Sequence, residues 1–177
     1  TKSFIQGFPI WGTLISLSRK KEIILGIADI PALDERYVGY SKFSYKLKNG
    51  KKTTLKVRNT NKLKESILNT TSPYVFANKL DQKIFEKLVR KVKTVRLGGD
   101  CYSYCLLADG HIDIVLESGL KPWDIRALEP IIKNAGGQLR TWEGNSILNG
   151  GRIIAASNKK LLIEAKTIMN KKKPSYK

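Results

Sequence analysis

The chain has 177 residues, 41% hydrophobic and 27% charged, with a formal net charge of +18. That apolar content suffices for one globular domain with a sizeable core and excludes a wholly disordered chain. No run approaches the roughly eighteen consecutive apolar residues of a membrane span, the polar start has no signal-peptide character, and two cysteines, Cys101 and Cys105, are too few for a disulfide framework.

In chain order, Thr1 to Gln6 predicts one short helical turn before Phe8-Pro9. Residues 10–18 and 22–30 are apolar runs joined by the charged link Arg19-Lys20-Lys21, an antiparallel hairpin expected at the centre of a sheet. Strands are predicted at 37–45 and 53–57, with Asn49-Gly50 as the two-residue turn before the second. Another strand begins at Ile67-Leu68. Helix is predicted over 82–92, with Ile84, Leu88 and Val92 on one face and Asp81 as cap. A short strand at 95–97 ends at Gly98-Gly99, and Asp100 then stands at the N-cap of a helix over 101–108. On that helix Cys101 and Cys105 lie four apart and read as reduced thiols of a cytoplasmic protein. The rest reads as a strand at 112–116, a helix at 123–135 stopped by Gly136-Gly137, strands at 139–142 and 153–155, an amphipathic helix at 158–169, and a basic tail over 171–177. The class is mixed α and β with much antiparallel pairing.

The positive charge is made mostly of lysine: 8 of the 33 basic residues are arginine, the residue best suited to bidentate phosphate and base recognition. A lysine-rich nucleic-acid-binding module is therefore the rival reading, and the scatter of lysines over all elements favours a solvated surface instead. Between Gly98 and Leu139 the sign reverses, with six acids against three bases. Three of those acids stand at element ends: Asp100 and Asp124 open predicted helices, and Glu117 closes a predicted strand. Hard cations such as Mg²⁺ take one or two carboxylates together with water and substrate oxygens. Spacing alone also fits two helix caps and a solvated glutamate.

The stretch from Lys121 to Gly137, with Trp123-Asp124 followed by a helix ending in Ala135-Gly136-Gly137, resembles the C-terminal signature of the inositol monophosphatase family. Thr1-Lys2-Ser3-Phe4 and Gly7-Phe8-Pro9 resemble the continuation of that family's Asp-Pro-Ile-Asp-Gly-Thr motif, and the resemblance runs from Thr1 to about Met169. Gly98-Gly99-Asp100-Cys101-Tyr102-Ser103-Tyr104 and Thr70-Thr71-Ser72-Pro73 are closest to the histidinol-phosphate phosphatase branch. The resemblance implies an α+β chain, the C-terminal part of a layered α/β/α/β/α sugar-phosphatase fold. Residues 1–170 would form part of a single domain.

By the same resemblance the intact protein is a Mg²⁺-dependent phosphomonoesterase of histidine biosynthesis, with an inositol monophosphatase as the alternative and a homodimer as its assembly. Asp124 matches the aspartate that binds the second Mg²⁺. Thr1 matches the threonine that orients the attacking water and contacts phosphate, and Glu117 matches the carboxylate that recognises the leaving group. Asp100 and Glu117 suit the amine of histidinol phosphate, whereas Tyr102 and Tyr104 individually fit core packing better, and the single histidine, His111, reads as structural. The family's remaining ligands, an upstream Glu and two Asp, have no counterpart here and would precede Thr1, so these residues alone are expected to be nearly inactive.

Overall fold

A computed structural model of the chain describes residues 2–76 and 78–170, except for the side chain of Lys2; Thr1 and the basic tail lie outside the described residues. The elements are α1 (Lys2–Ile5), β1 (Thr13–Arg19), β2 (Glu22–Ile30), β3 (Glu35–Tyr40), β4 (Phe43–Lys48), β5 (Lys51–Thr54), β6 (Ile67–Thr70), α2 (Lys79–Val89), β7 (Thr94–Leu97), α3 (Asp100–Ala108), β8 (Ile114–Leu120), α4 (Pro122–Ile125), α5 (Leu128–Asn134), β9 (Gln138–Thr141), β10 (Gly151–Ala156) and α6 (Lys159–Asn170).

The first five strands form an antiparallel meander in chain order. The 10–18 and 22–30 segments do pair as a hairpin, but β1 is the edge strand and not a central one. The predicted strand over 37–45 is two strands, β3 and β4, folded at Ser41-Lys42 with Tyr40 opposite Phe43 and Ser41 at φ +51°. No glycine or asparagine marks that turn, and the apolar alternation runs straight through it. Asn49-Gly50 turns β4 into β5 as expected, although β5 starts earlier than predicted, at Lys51.

The second sheet is mixed, in the order β7-β6-β8-β10-β9, with β6 parallel to β7 and β8 and the remaining pairs antiparallel. Alternation along these strands feeds two cores. Val115, Ile153 and Ala155 face α3, α5 and the meander, where Cys105, Leu107, Leu128, Ile131 and Tyr37 are buried. Leu68, Ile114, Leu116 and Ile154 face α2 and α6, against Phe85, Leu88, Leu161 and Ala165. The layers therefore run sheet, helices, sheet, helices.

A row of small residues sets how closely the middle helices approach the meander. Gly26 on β2, Gly39 on β3 and Ser44 on β4 stand opposite one another. A Cβ at Gly26 would lie 1.9 Å from the Ala127 carbonyl oxygen, and one at Gly39 would lie 2.4 Å from the Ile131 nitrogen. Ser44 Oγ donates to the Ile131 carbonyl at 2.7 Å. The backbone of the 127–131 segment thus rests directly on three strands, where any larger side chain would hold it off.

Several predicted ends move for local reasons. Asn78, not Asp81, caps α2, accepting the Asp81 N–H at 2.8 Å. The predicted 123–135 helix is divided into α4 and α5, because Pro130 has no N–H to give the Arg126 carbonyl; Glu129 N bonds it instead at 3.3 Å. His111 is exposed, with Nε2 3.4 Å from Asp109 Oδ2, and is not a core residue.

Candidate active site

β6 and β8 run parallel, and their C-terminal ends meet the N-termini of α3 and α4 and the segment after α1 around a cleft of about 740 Å³. Asp100, Tyr104, Glu117 and Asp124 line it, with Thr71 from the β6 end and Trp11 opposite. Clefts at strand C-termini that gather helix starts favour ligands, because free backbone donors and carboxylates converge there. The three acids singled out by spacing thus line one cleft, while Thr1 lies outside the described residues.

Glu117 does not close its strand. β8 continues to Leu120 because β10 pairs along it, with Ile153 opposite Glu117. This places the carboxyl inside the protein, 2% exposed, on the sheet face beneath α3. Its Oε1 accepts the Thr71 N–H at 2.6 Å. Burial pushes its pKa up to about 7, the Thr71 hydrogen bond opposes the shift, and the nearby Asp100 charge adds to it. The neighbouring Ser118 Oγ donates to Asp81 Oδ2 at 3.1 Å, and Arg152 Nη1 donates to Asp81 Oδ1 at 2.9 Å, so the outer end of β8 is braced against α2.

Asp100 is not the N-cap of α3. Gly99 holds that place at φ +117°, and Asp100 follows as the first helical residue with φ +44°. A left-handed conformation in a non-glycine residue costs about 1 kcal/mol, so the surroundings must hold it. One constraint is visible: Ser3 Oγ on α1 donates to Asp100 Oδ2 at 2.6 Å. Gly98, just before, donates its N–H to the Thr70 and Thr71 carbonyls at 3.0 Å, tying the turn to the end of β6.

Asp124 is half-buried in the first turn of α4, where its Oδ2 accepts the Lys121 N–H at 2.7 Å. Among the described residues no group of three or more His, Cys, Asp or Glu side chains converges to hold a metal. A single cleft-facing carboxylate fits Mg²⁺ as one ligand among water and substrate oxygens, and supplies only part of a site. Cys101 also lines the cleft, but burial, then Asp100, push its thiol up to about 11, so it is protonated and not a nucleophile at neutral pH. Sequence reasoning missed the role of the Thr71 backbone, which grips Glu117; the Thr70–Pro73 motif marked the segment but not that bond.

A layered α+β fold with an acid-lined cleft at the strand ends is the kind of concave site where small ligands bind. Comparison with known proteins makes this specific: residues 1–170 match the model of the inositol monophosphatase family, and the chain belongs to that family. It is 45% identical over 148 residues to the bifunctional phosphatase IMPL2, chloroplastic, of Arabidopsis thaliana, covering 84% of this chain and 42% of that protein. It is 32% identical over 160 residues to the histidinol-phosphatase of Mycobacterium tuberculosis, covering 89% of this chain and 61% of that one. The structure of an inositol monophosphatase from Zymomonas mobilis superposes with a TM-score of 0.87 at 38% identity, over 95% of this chain and 66% of the other. The chain thus spans about 40–60% of the length of these curated relatives.

Proposed function

We propose that the intact protein is a Mg²⁺-dependent phosphomonoesterase acting on histidinol phosphate. The observation that carries this reading is that Asp100, Glu117 and Asp124 line one cleft, a gathering of acids on a chain of net charge +18. Such a cleft suits a divalent cation beside the phosphate and a cationic group on the alcohol part of the ester. The kinship to a histidinol-phosphatase supports the same choice.

Asp124, which lines the cleft, would contribute one carboxylate to the metal, and by the family resemblance Thr1, outside the described residues, would contact the phosphate and orient the attacking water. Bound Mg²⁺ would supply charge neutralisation and an activated water. The water oxygen would bond to phosphorus and give up a proton as the ester P–O bond breaks, and the departing alcohol oxygen would take up a proton in its place, leaving alcohol and inorganic phosphate. Glu117 and Asp100 hold the leaving alcohol: the substrate ammonium favours the ionised form of Glu117, and Ser3 keeps Asp100 oriented. The free thiols Cys101 and Cys105 accord with a reducing compartment such as the cytoplasm.

A second reading, inositol phosphate as substrate, is favoured by the 38% identity to the Zymomonas mobilis inositol monophosphatase. Initial rates of the intact protein on histidinol phosphate and inositol 1-phosphate, with and without Mg²⁺, separate the two. A kcat/KM at least tenfold higher for histidinol phosphate is expected, as is loss of the Mg²⁺-dependent rate in Asp124→Asn. Preference for the inositol ester refutes the substrate assignment, and an Asp124→Asn variant with unchanged Mg²⁺ response refutes the role of Asp124.

A further inference from the structure

Helix α3 carries two tyrosines two residues apart, and their hydroxyls have opposite fates. Tyr102 Oη donates to Glu35 Oε2 at 3.0 Å, on the carboxylate that also takes Tyr37 Oη at 2.7 Å and Lys48 Nζ at 2.8 Å. Tyr104 is 2% exposed and lines the cleft, and its hydroxyl has no hydrogen-bond partner among the described residues. Leaving a buried hydroxyl unpaired costs about 1–3 kcal/mol, so a group of this kind at a cleft wall calls for a partner that arrives from the cleft.

The surroundings decide what that partner is. Burial, then the charges of Glu117 and Asp124, hold the Tyr104 phenol well above its ordinary pKa, so it remains a neutral O–H. Both neighbours are carboxylates, and Asp100 lines the same cleft. A second anion is disfavoured there, whereas a ligand N–H or O–H finds the phenol oxygen as acceptor and Glu117 as counter-charge.

We propose that Tyr104 is a substrate-binding residue that selects the leaving-group half of the phosphomonoester, its hydroxyl oxygen accepting a hydrogen bond from an ammonium or hydroxyl group held against Glu117. This rests on the phosphomonoesterase reading above and adds a residue that reads as core packing from the sequence.

The test is Tyr104→Phe, which removes one oxygen and keeps the ring. Initial-rate KM values for histidinol phosphate and inositol 1-phosphate, and the competitive inhibition constant of inorganic phosphate, are measured on the intact protein with Mg²⁺, together with the melting temperature. For the ester that wild type prefers, Tyr104→Phe is expected to raise KM about tenfold, with the inhibition constant of inorganic phosphate within twofold and no loss of melting temperature. Equal weakening of ester and inorganic phosphate, no weakening of either, or a clearly lowered melting temperature overturns the assignment. If wild type prefers inositol 1-phosphate, the histidinol phosphate assignment fails and Tyr104 is judged on the inositol ester. If wild type hydrolyses neither ester, both readings fall.

Discussion

The buried carboxyl of Glu117 makes the stability of the fold depend on pH in a way that one substitution isolates. In an unfolded chain it titrates near its ordinary value of 4.5, and in the fold near 7. The folded form holds the proton more tightly, so stability is full below the unfolded value and falls as pH rises through 7. The whole shift amounts to about 3 kcal/mol, of which about 2.5 kcal/mol develops between about pH 5 and pH 8.5. Glu117→Gln fixes a neutral side chain that can still accept the Thr71 N–H. Its fixed cost of burying an amide is the same at every pH and cancels from the comparison. Urea unfolding of both proteins at the two pH values, with divalent cations chelated, should show the variant gaining about 2.5 kcal/mol relative to wild type on going to high pH. In melting temperature this is a relative gain of about 5–10 °C. Parallel pH dependence in the two proteins would refute the reasoning, because it would mean that Glu117 titrates as an exposed carboxylate.

Two further changes probe the framework that holds the cleft. Gly39→Ala drives a methyl group into the backbone of Ile131 and should destabilise by about 3 kcal/mol in urea unfolding; a cost under about 0.5 kcal/mol would show that α5 can lift off the meander freely. Arg152→Ala leaves the 1%-exposed Asp81 carboxylate with Ser118 as its remaining hydrogen-bond partner. Because Arg152 is itself 38% exposed, the expected cost is about 2 kcal/mol and not the full penalty of a buried pair. An Arg152→Ala protein as stable as wild type would show that solvent already satisfies Asp81.

Much of the fold was legible because it is written in local signals. Asn49-Gly50 specifies a two-residue turn, Gly98-Gly99 ends β7, Gly136-Gly137 stops α5, and the amphipathic pattern over 158–169 marks α6. The motif around Asp124, with the Thr1–Pro9 segment, named the family, and the reversal of charge sign between Gly98 and Leu139 pointed to the acids that now line one cleft. Each of these signals lies within a few residues of the feature it specifies, which is the range over which backbone dihedrals and side-chain periodicity act.

What the tertiary structure decided is of another kind. The turn at Ser41-Lys42 and the edge position of β1 follow from which strands pair, and neither leaves a composition mark. The close approach of the 127–131 segment requires Gly26, Gly39 and Ser44, far apart in the chain, to fall in one row across three strands. Glu117 acquires its raised pKa because β10 extends β8 past it and buries the carboxyl, a shift that the Thr71 N–H at the end of β6 only partly opposes. Tyr104 differs from Tyr102 by which side of α3 meets Glu35 and which meets the cleft. Burial, pairing and orphaned hydrogen-bonding groups are properties of contacts between distant segments, and an amino-acid pattern read along the chain carries no coordinate for them.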